Sequence, residues 1–169
     1  MEAIELELRP GEVRSGEASE FDARFATLRG RLLAICSPLV GGIEAEDVVQ
    51  DAYLAGRSRY ARLRDPDAFD AWMIRIAINR CMDRHRRGSR VFPLTATHEG
   101  RSASSGDPGL RELIERLPGR ERTILVLHYG HGYRLQEIGQ LLGLSHTNVR
   151  TIIARTRQSL LRAMREAEA

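Results

Sequence analysis

A helix–turn–helix pattern between Arg134 and Met164 restricts the folds open to this chain more than any other feature. Gly143 can leave helical geometry after the first helix, and Ser145 can cap the second helix. In the second helix, residues at the spacing of one helix face are Val149, Ile152, Ile153, Thr156 and Leu160. The pattern predicts a helix–turn–helix whose second helix buries this stripe.

The face opposite the stripe has the chemistry of a surface that reads double-stranded DNA. Arginine can bind phosphates or guanine, asparagine and glutamine match adenine, threonine can contact a thymine methyl, and alanine permits close approach. The predicted DNA contacts are His146, Thr147, Asn148, Arg150, Thr151, Ala154, Arg155 and Gln158. A plain helical bundle can also have a basic face, but here the turn, cap, stripe and opposing face all agree with DNA docking.

Charge and composition divide the chain into segments. The net charge is +3 and all 26 basic residues are arginine, yet residues 1–20 hold six glutamates against only two arginines. We predict an acidic disordered tail over 1–20, a helical domain over 21–87, a flexible linker over 88–109 and a second helical domain over 110–169. The linker prediction depends on glycine, proline, serine and threonine without sustained periodicity.

Strand signals are almost absent, so the fold class is predicted to be all-α, with two small helical domains. The predicted helices before the helix–turn–helix cover residues 21–37, 45–60, 68–87, 110–117 and 120–129. Pro38, Gly41 and Gly42 are expected to separate the first two helices. Asp67 is expected to cap the third helix.

The helix over residues 68–87 is apolar on two sides, which indicates that it is buried on both. Between these sides runs a polar stripe composed of Arg75, Asn79, Met82 and Arg86. The stripe ends in a basic cluster composed of Arg84, His85, Arg86, Arg87 and Arg90. Such a cluster can be a solvated helix end, but a second DNA-binding module across the linker favours a role in binding nucleic acid.

The helix over residues 45–60 has a different exposed face. It consists of Glu46, Asp47, Gln50, Asp51 and Leu54. An exposed leucine surrounded by acids and an amide is typical of a protein-docking patch. Singly exposed leucines are common, so this face is weak evidence without support from elsewhere in the chain.

Two strings in the first domain and one block in the second resemble a known family. EAEDVVQDAYLAGRSRY and DPDAFDAWMIRIAINRCMDRHRR resemble region 2 of bacterial RNA polymerase sigma factors. LPGRERTILVLHYGHGYRLQEIGQLLGLSHTNVRTIIARTRQSL resembles region 4. Their order and the linker between them resemble the small extracytoplasmic-function group, and the resemblance covers nearly all of residues 21–165.

The resemblance implies a transcription initiation factor that is not an enzyme and needs no cofactor. It implies core RNA polymerase as partner, with the face of Asp47, Gln50, Asp51 and Leu54 on the clamp helices of the largest subunit, and a further contact at the flap region. Promoter DNA and an anti-sigma factor are the other implied partners. The helix from His146 would read the upstream (−35) element. The downstream (−10) element would be read and opened by the residues Asp65, Asp67, Arg75, Asn79, Met82, Arg86 and Arg87.

The chain departs from the family pattern in three places. Gly56 lies where many members carry a large residue, which should affect docking little. The start of the recognition helix, SHTNVRT, differs from the commoner pattern, so the upstream consensus of relatives does not transfer. The paired aromatic wedge of housekeeping sigma factors falls on Arg75 and Ile76, which implies weaker opening and narrower promoter choice.

Two other functions stay open from the sequence. One is an ordinary two-domain DNA-binding regulator that never joins the polymerase, and the other is a sigma-like module that serves mainly as the partner of an anti-sigma protein. A metal or nuclease site is disfavoured, because the acids at Glu46, Asp47 and Asp51 spread around much of a helix. His128 and His131 have no third ligand nearby in the sequence.

The remaining sequence features concern location and cysteine chemistry. No apolar run approaches the length of a membrane span and no signal pattern opens the chain, so we expect no membrane insertion and a cytoplasmic location. Cys36 and Cys81 lie within apolar helical patterns, which favours two buried thiols over a disulfide or a metal pair.

Overall fold

The computed structural model describes residues 15–88 and 108–167, which are helical and contain no strand. The helices are α1 (Ser15–Val40), α2 (Gly42–Arg57), α3 (Phe69–Gly88), α4 (Pro108–Glu115), α5 (Gly119–Leu125), α6 (Leu135–Leu142) and α7 (His146–Ala167). Two 3₁₀ turns, Tyr60–Arg62 and Pro66–Ala68, join α2 to α3, and a π-helical turn, Val126–Gly130, follows α5. The all-α prediction is confirmed. Most of the predicted tail and linker lies outside the described residues.

The first two helices differ from their predicted bounds. α1 begins at Ser15, inside the segment predicted to be a disordered tail. It also runs through Pro38 to Val40, and the break comes at Gly41, whose φ of 95° is a conformation that glycine adopts most readily. α2 then begins directly at Gly42, one turn earlier than predicted, and ends at Arg57. Tyr60, predicted as the last residue of this helix, begins a separate 3₁₀ turn, Tyr60–Arg62, instead.

A cluster of aromatic rings holds α1, α2 and α3 together. Phe21 is fully buried, and its ring centroid lies 5.3–6.0 Å from the rings of Phe25, Tyr53, Tyr60 and Phe69. The two tyrosines keep their hydroxyls bonded, because Tyr53 donates to Asp22 and Tyr60 donates to Glu20, each at 2.8 Å. Aromatic pairs at these separations stabilise a core beyond the area that they bury.

Gly56 is buried in α2, where it faces Met73 of α3 and Phe21 of α1. A Cβ at this position would lie 2.5 Å from the Met73 sulfur and 3.2 Å from the Phe21 ring. Real Cβ atoms essentially never come that close to a neighbour. In this chain Met73 and Phe21 therefore occupy the space that a larger side chain at position 56 would need, so such a side chain would require Met73 to move.

The turn before α3 is capped by a different residue from the one predicted. The side chain of Asp65 accepts a hydrogen bond from the Asp67 backbone amide at 3.0 Å. The cap therefore belongs to the 3₁₀ turn Pro66–Ala68, and α3 continues from it at Phe69. Asp67 was predicted as the cap because its position fits the sequence pattern, but Pro66 favours extended geometry at the residue before it, which places Asp65 at the N-cap position of the turn.

The helix–turn–helix has the predicted geometry. Gly143 adopts the left-handed conformation after α6, with φ 67°, and the Ser145 hydroxyl accepts from the Asn148 amide at 3.2 Å. The predicted stripe of α7 is covered, because Val149, Ile153 and Thr156 are buried and Ile152 and Leu160 are half-buried.

The two predicted helical domains, 21–87 and 110–169 (the two modules), pack against each other. The Leu39 carbonyl at the end of α1 accepts from the Arg122 guanidinium at 3.2 Å and lies 2.7 Å from His85 Nε2. Arg31 donates to the Tyr133 hydroxyl at 2.7 Å. Buried residues of both modules form one continuous core, so the boundary between them is not a solvent gap.

Two further sequence predictions concern the described residues. Cys36 and Cys81 are buried free thiols, as predicted. Their mutual hydrogen bond, together with burial, raises the pKa of Cys81, so the thiolate form is disfavoured. No helix of residues 15–88 and 108–167 is long and apolar enough to cross a membrane.

Candidate nucleic-acid interface and docking face

The face of α7 opposite the buried stripe is exposed along its length. The exposed residues include all of those predicted to contact DNA, namely His146, Thr147, Asn148, Arg150, Thr151, Ala154, Arg155 and Gln158. The other side of α7 is held in place by the core and by the buried Thr156, whose hydroxyl lies 3.3 Å from a carboxylate oxygen of Glu121 on α5. A rigid helix thus presents this surface to solvent.

The hydrogen bonding and charge of this surface favour nucleic acid. Thr151 donates its hydroxyl proton to the Thr147 carbonyl at 2.9 Å, which leaves its methyl group and oxygen lone pairs facing outward. Within the described residues, neither Arg150 nor Arg155 has a carboxylate within 4.0 Å. Both guanidinium groups are therefore available to bind phosphates or base edges.

The polar stripe of α3 is only partly free. Arg75 and Asn79 are exposed, and Arg86 is exposed but paired with Asp83. Met82 is half-buried, and its sulfur lies 3.7 Å from the Thr123 hydroxyl on α5. The structure thus places Met82 at the contact between the modules, whereas the sequence placed it among exposed residues. The side chain of Arg87 lies outside the described residues.

The basic cluster at the end of α3 is largely engaged within the protein. Arg84 pairs with Asp47 at 3.8 Å and with Asp51 at 3.7 Å, both on α2. His85 packs against Gly119, where an added Cβ would lie 3.1 Å from its ring. Burial, with a smaller effect of the Arg122 cation, lowers the pKa of His85, so this side chain adds little positive charge at neutral pH. The described members Arg84, His85 and Arg86 therefore do not form a free basic patch, whereas Arg90 and the side chain of Arg87 lie outside the described residues.

The loop before α3 is held by a residue that the sequence analysis did not single out. Arg24 on α1 donates to the Pro66 carbonyl at 2.5 Å and stacks over the Phe69 ring at 4.5 Å. This anchoring leaves the side chains of Asp65 and Asp67 exposed. An arginine of α1 gives no local signal for this contact, because 42 residues separate it from Pro66.

The predicted docking face of α2 is also exposed, with Glu46, Asp47, Gln50, Asp51 and Leu54 all on the surface. Arg29 pairs with Glu46 at 2.5 Å, so acids on both edges of the face have arginine partners. Ile43 is 88% exposed beside this face, although the sequence pattern did not predict it there. It was missed because the helix was predicted to begin after Gly42.

A half-buried arginine, Arg122, marks the contact between the two helical domains. Arg122 donates to the carbonyls of Leu39, Glu115 and Leu117. Burial lowers its pKa, although the nearby Glu115 opposes this effect. The cation thus connects the end of α1 to the end of α4 and the turn after it, through backbone carbonyls rather than through a carboxylate.

The described residues do not support the alternative of a metal site. Within residues 15–88 and 108–167, no group of three or more His, Cys, Asp and Glu side chains could hold an ion. Glu46, Asp47 and Asp51 pair with arginines instead, and a ring nitrogen of His128 lies 2.9 Å from the Tyr133 carbonyl.

Comparisons with known proteins agree with the two sets of motifs. The family model described as Sigma-70 region 2 matches residues 25–91, and the one described as Sigma-70, region 4 matches residues 109–160. The ECF RNA polymerase sigma factor SigW of Bacillus subtilis is 25% identical over 95% of this chain and 97% of its own length.

Two further comparisons concern a longer relative and a solved structure. A protein of Xanthomonas campestris named "Probable RNA polymerase sigma factor RfaY" is 30% identical over 78% of this chain, which spans only 39% of that relative's length. The sigma factor RpoE of Bartonella quintana, solved in complex with the anti-sigma factor NepR, matches with a TM-score of 0.71. It is 18% identical, and the match covers 87% of this chain and 98% of that one, which shows a shared fold.

The described helices and the comparisons therefore lead to one family. Region 2 and region 4 occur in the same order and together span both modules. Sigma factors are promoter-specific transcription initiation factors and not enzymes. The chain belongs to the sigma-70 family, in its extracytoplasmic-function group.

Proposed function

We propose that this protein binds core RNA polymerase through α2, brings it to promoters that α7 recognises at the upstream (−35) element, and helps to open the downstream (−10) element through α3. The observation that carries the proposal is the presence of two differently built exposed faces on one chain. The face of α7 has unpaired arginines and hydroxyls, which suit DNA, whereas that of α2 has acids and Leu54, which suit a protein.

The docking role of α2 is supported by its rigidity and composition. Val48 and Ala52 are fully buried on its inner side, so the outer side is presented in one orientation. Leu54 is 56% exposed, and a partner surface that covered it would gain from removing apolar area from water. The resemblance to region 2 points to the clamp helices of the largest polymerase subunit as this partner, with a further contact of region 4 at the flap.

The opening role of α3 is supported by its burial on two sides. Met73, Ile74, Ala77 and Ile78 are covered by the core, so Arg75 and Asn79 are held at fixed positions on the outer side. Arginine and asparagine can bind the backbone and an unstacked base of a single strand. Because Thr123 lies against Met82, that side chain can reach DNA only after α5 has moved away from α3.

Location and further partners follow from the proposed role. A factor that works with core polymerase and promoter DNA acts in the cytoplasm. An anti-sigma factor is proposed as a regulatory partner, since the RpoE protein that shares this fold was solved with one. Such a partner would compete with polymerase or DNA for the faces of α2, α3 or α7.

A polymerase-binding and transcription experiment tests the proposal against its main alternative. We expect the full chain to bind core polymerase and to support run-off transcription from a subset of genomic promoter fragments. A chain carrying Asp47→Arg and Leu54→Ala should lose both activities, because charge reversal and truncation remove both kinds of contact from the docking face. Its helical content and thermal midpoint, measured by circular dichroism, serve as the folding control.

Two other outcomes of this experiment would contradict the proposal or part of it. DNA binding without any association with core polymerase would identify an ordinary two-domain regulator and contradict the proposal. Binding to core by the double variant at the wild-type affinity would show that α2 is not the docking helix.

A second prediction separates base reading from phosphate binding on α7. Thr151→Asn should change the preferred base at one position of the upstream element, where a wrong base pair typically costs about 1–3 kcal/mol. Arg155→Ala should instead weaken binding evenly across sequences and reduce its dependence on salt. The measurement is selection from a randomised upstream element by the full chain with core polymerase. Identical sequence profiles for both variants and the wild type would contradict this assignment of the α7 face.

A further inference from the structure

Ile43 is the most exposed large apolar side chain in the part of the chain that the structure describes, at 88%. It lies in the first turn of α2, eleven residues before Leu54. At about 100° and 1.5 Å per residue, the two side chains point in nearly the same direction and lie about 16 Å apart along the helix. Gln50 falls between them on the same side, so Ile43, Gln50 and Leu54 form one stripe, with Asp47 at its edge.

Helix formation and core packing do not account for an isoleucine at this position. A β-branched residue is a weaker helix former than leucine or alanine, and the first turn of a helix favours acidic side chains. The side chain is almost fully in water, so it does not fill the core either. Its exposure is therefore a cost in the free protein that burial against a partner would remove.

The charges beside the stripe are arranged at its edges. Arg84 pairs with Asp47 and Asp51 on one edge, and Arg29 pairs with Glu46 on the other. The middle of the face consists of Ile43, Gln50 and Leu54, which carry no charge. Uncharged contacts enclosed by a rim of paired charges are typical of the energetically important centre of a protein interface.

We propose that Ile43 is a second apolar anchor of the polymerase-binding face, which therefore extends one turn beyond Asp47 and has an apolar contact at each end. The inference rests on the proposed function, because the stripe is continuous with the docking face of α2. The partner that it fits is a rod-shaped surface such as the clamp helices, with apolar groups about 16 Å apart and polar groups between them.

Competition against labelled wild-type chain for core RNA polymerase tests this assignment, with the full chain as competitor. Ile43→Asp should weaken the affinity roughly tenfold or more, as loss of an anchor residue commonly does. Ile43→Leu is the matched control and should keep most of the affinity, because it retains apolar volume. An aspartate in the first turn of a helix is favourable, so the thermal midpoint of Ile43→Asp should be no lower than that of the wild type.

Leu54→Ala in the same titration separates the possible failures. If Leu54→Ala loses affinity while Ile43→Asp keeps it, the docking face is correct and the role of Ile43 is overturned. If neither variant loses affinity, the docking face itself is misplaced. If light scattering shows that the wild-type chain self-associates and that Ile43→Asp is monomeric with unchanged affinity for core, the stripe binds a second copy, and the proposal is overturned.

Discussion

Gly139→Ala is expected to disrupt the helix–turn–helix and to abolish recognition of the upstream element. A Cβ at position 139 would lie 2.6 Å from the backbone oxygen of Leu144, in the turn between α6 and α7. A flexible side chain could move aside, but this neighbour is backbone, and its carbonyl is part of the turn. The Gly139 carbonyl itself accepts from the Leu144 amide at 2.8 Å, so α6 and the turn at Leu144 are in direct contact.

Overpacked sites typically cost about 1–3 kcal/mol in the free energy of unfolding. Alanine gains roughly 1 kcal/mol over glycine in a helix interior, so the expected net loss is up to about 2 kcal/mol. Chemical denaturation of the full chain measures the loss, and binding to promoter DNA with core polymerase measures the consequence. Because α7 would be displaced relative to α6, we expect the affinity for the upstream element to be lost even under conditions where the chain remains folded.

Gly30→Ala is the matched control for this prediction. Gly30 is an exposed residue of α1 where an added Cβ meets no atom within 4 Å. The same substitution there should stabilise the protein by about 0.5–1 kcal/mol, because only helix propensity changes. Equal effects of the two substitutions on stability would contradict the close approach of α6 to the turn.

Asn79→Ala is expected to abolish promoter opening while polymerase binding and upstream recognition persist. Asn79 is exposed on the outer side of α3, and its amide can bind an unstacked base that alanine cannot bind. Permanganate reactivity of thymines in the downstream element should fall together with the run-off transcript. The neighbouring Ile78 is fully buried, so the helix should keep its position when the exposed side chain is shortened.

A promoter with a preformed bubble is the control for Asn79→Ala. On this template the strands are already separated, so most of the lost transcript should return if opening is the defect. Normal thymine reactivity on duplex promoter would contradict the assigned role of Asn79. A transcript that stays low on the bubble, with normal polymerase binding, would place the defect after opening.

Local patterns were enough to predict the helix–turn–helix. The positions of Gly143 and Ser145 and the stripe through Val149 and Ile153 depend on residues within a few turns of one another, and the structure has all of them as predicted. The exposed residues of α2 and α7 were also predictable, because a helix with one buried stripe must expose its other side. Their roles in binding polymerase and DNA stay predictions.

Helix ends were predicted less well than helix faces. The sequence indicated a break from Pro38 to Gly42, but α1 passes through Pro38 and α2 begins at Gly42. Only the φ of 95° at Gly41 shows where the chain turns. A proline or glycine lowers the stability of a helix locally, whereas packing of the flanking turns decides whether the helix continues. Because the helix was predicted to begin at residue 45, the sequence did not place Ile43 on the exposed face of α2.

The amino-acid sequence by itself determined the all-α fold, the face of each helix that is buried and the family, because these depend on spacing along one helix or on motifs. Only the tertiary structure decided the partners of Arg84, His85 and Met82, which lie on other helices. The sequence placed Arg84 and His85 in a basic cluster at a helix end, and Met82 in the polar stripe that leads to it. Their contacts join residues tens of positions apart, and helical periodicity carries no information about which residue of a distant helix will be opposite.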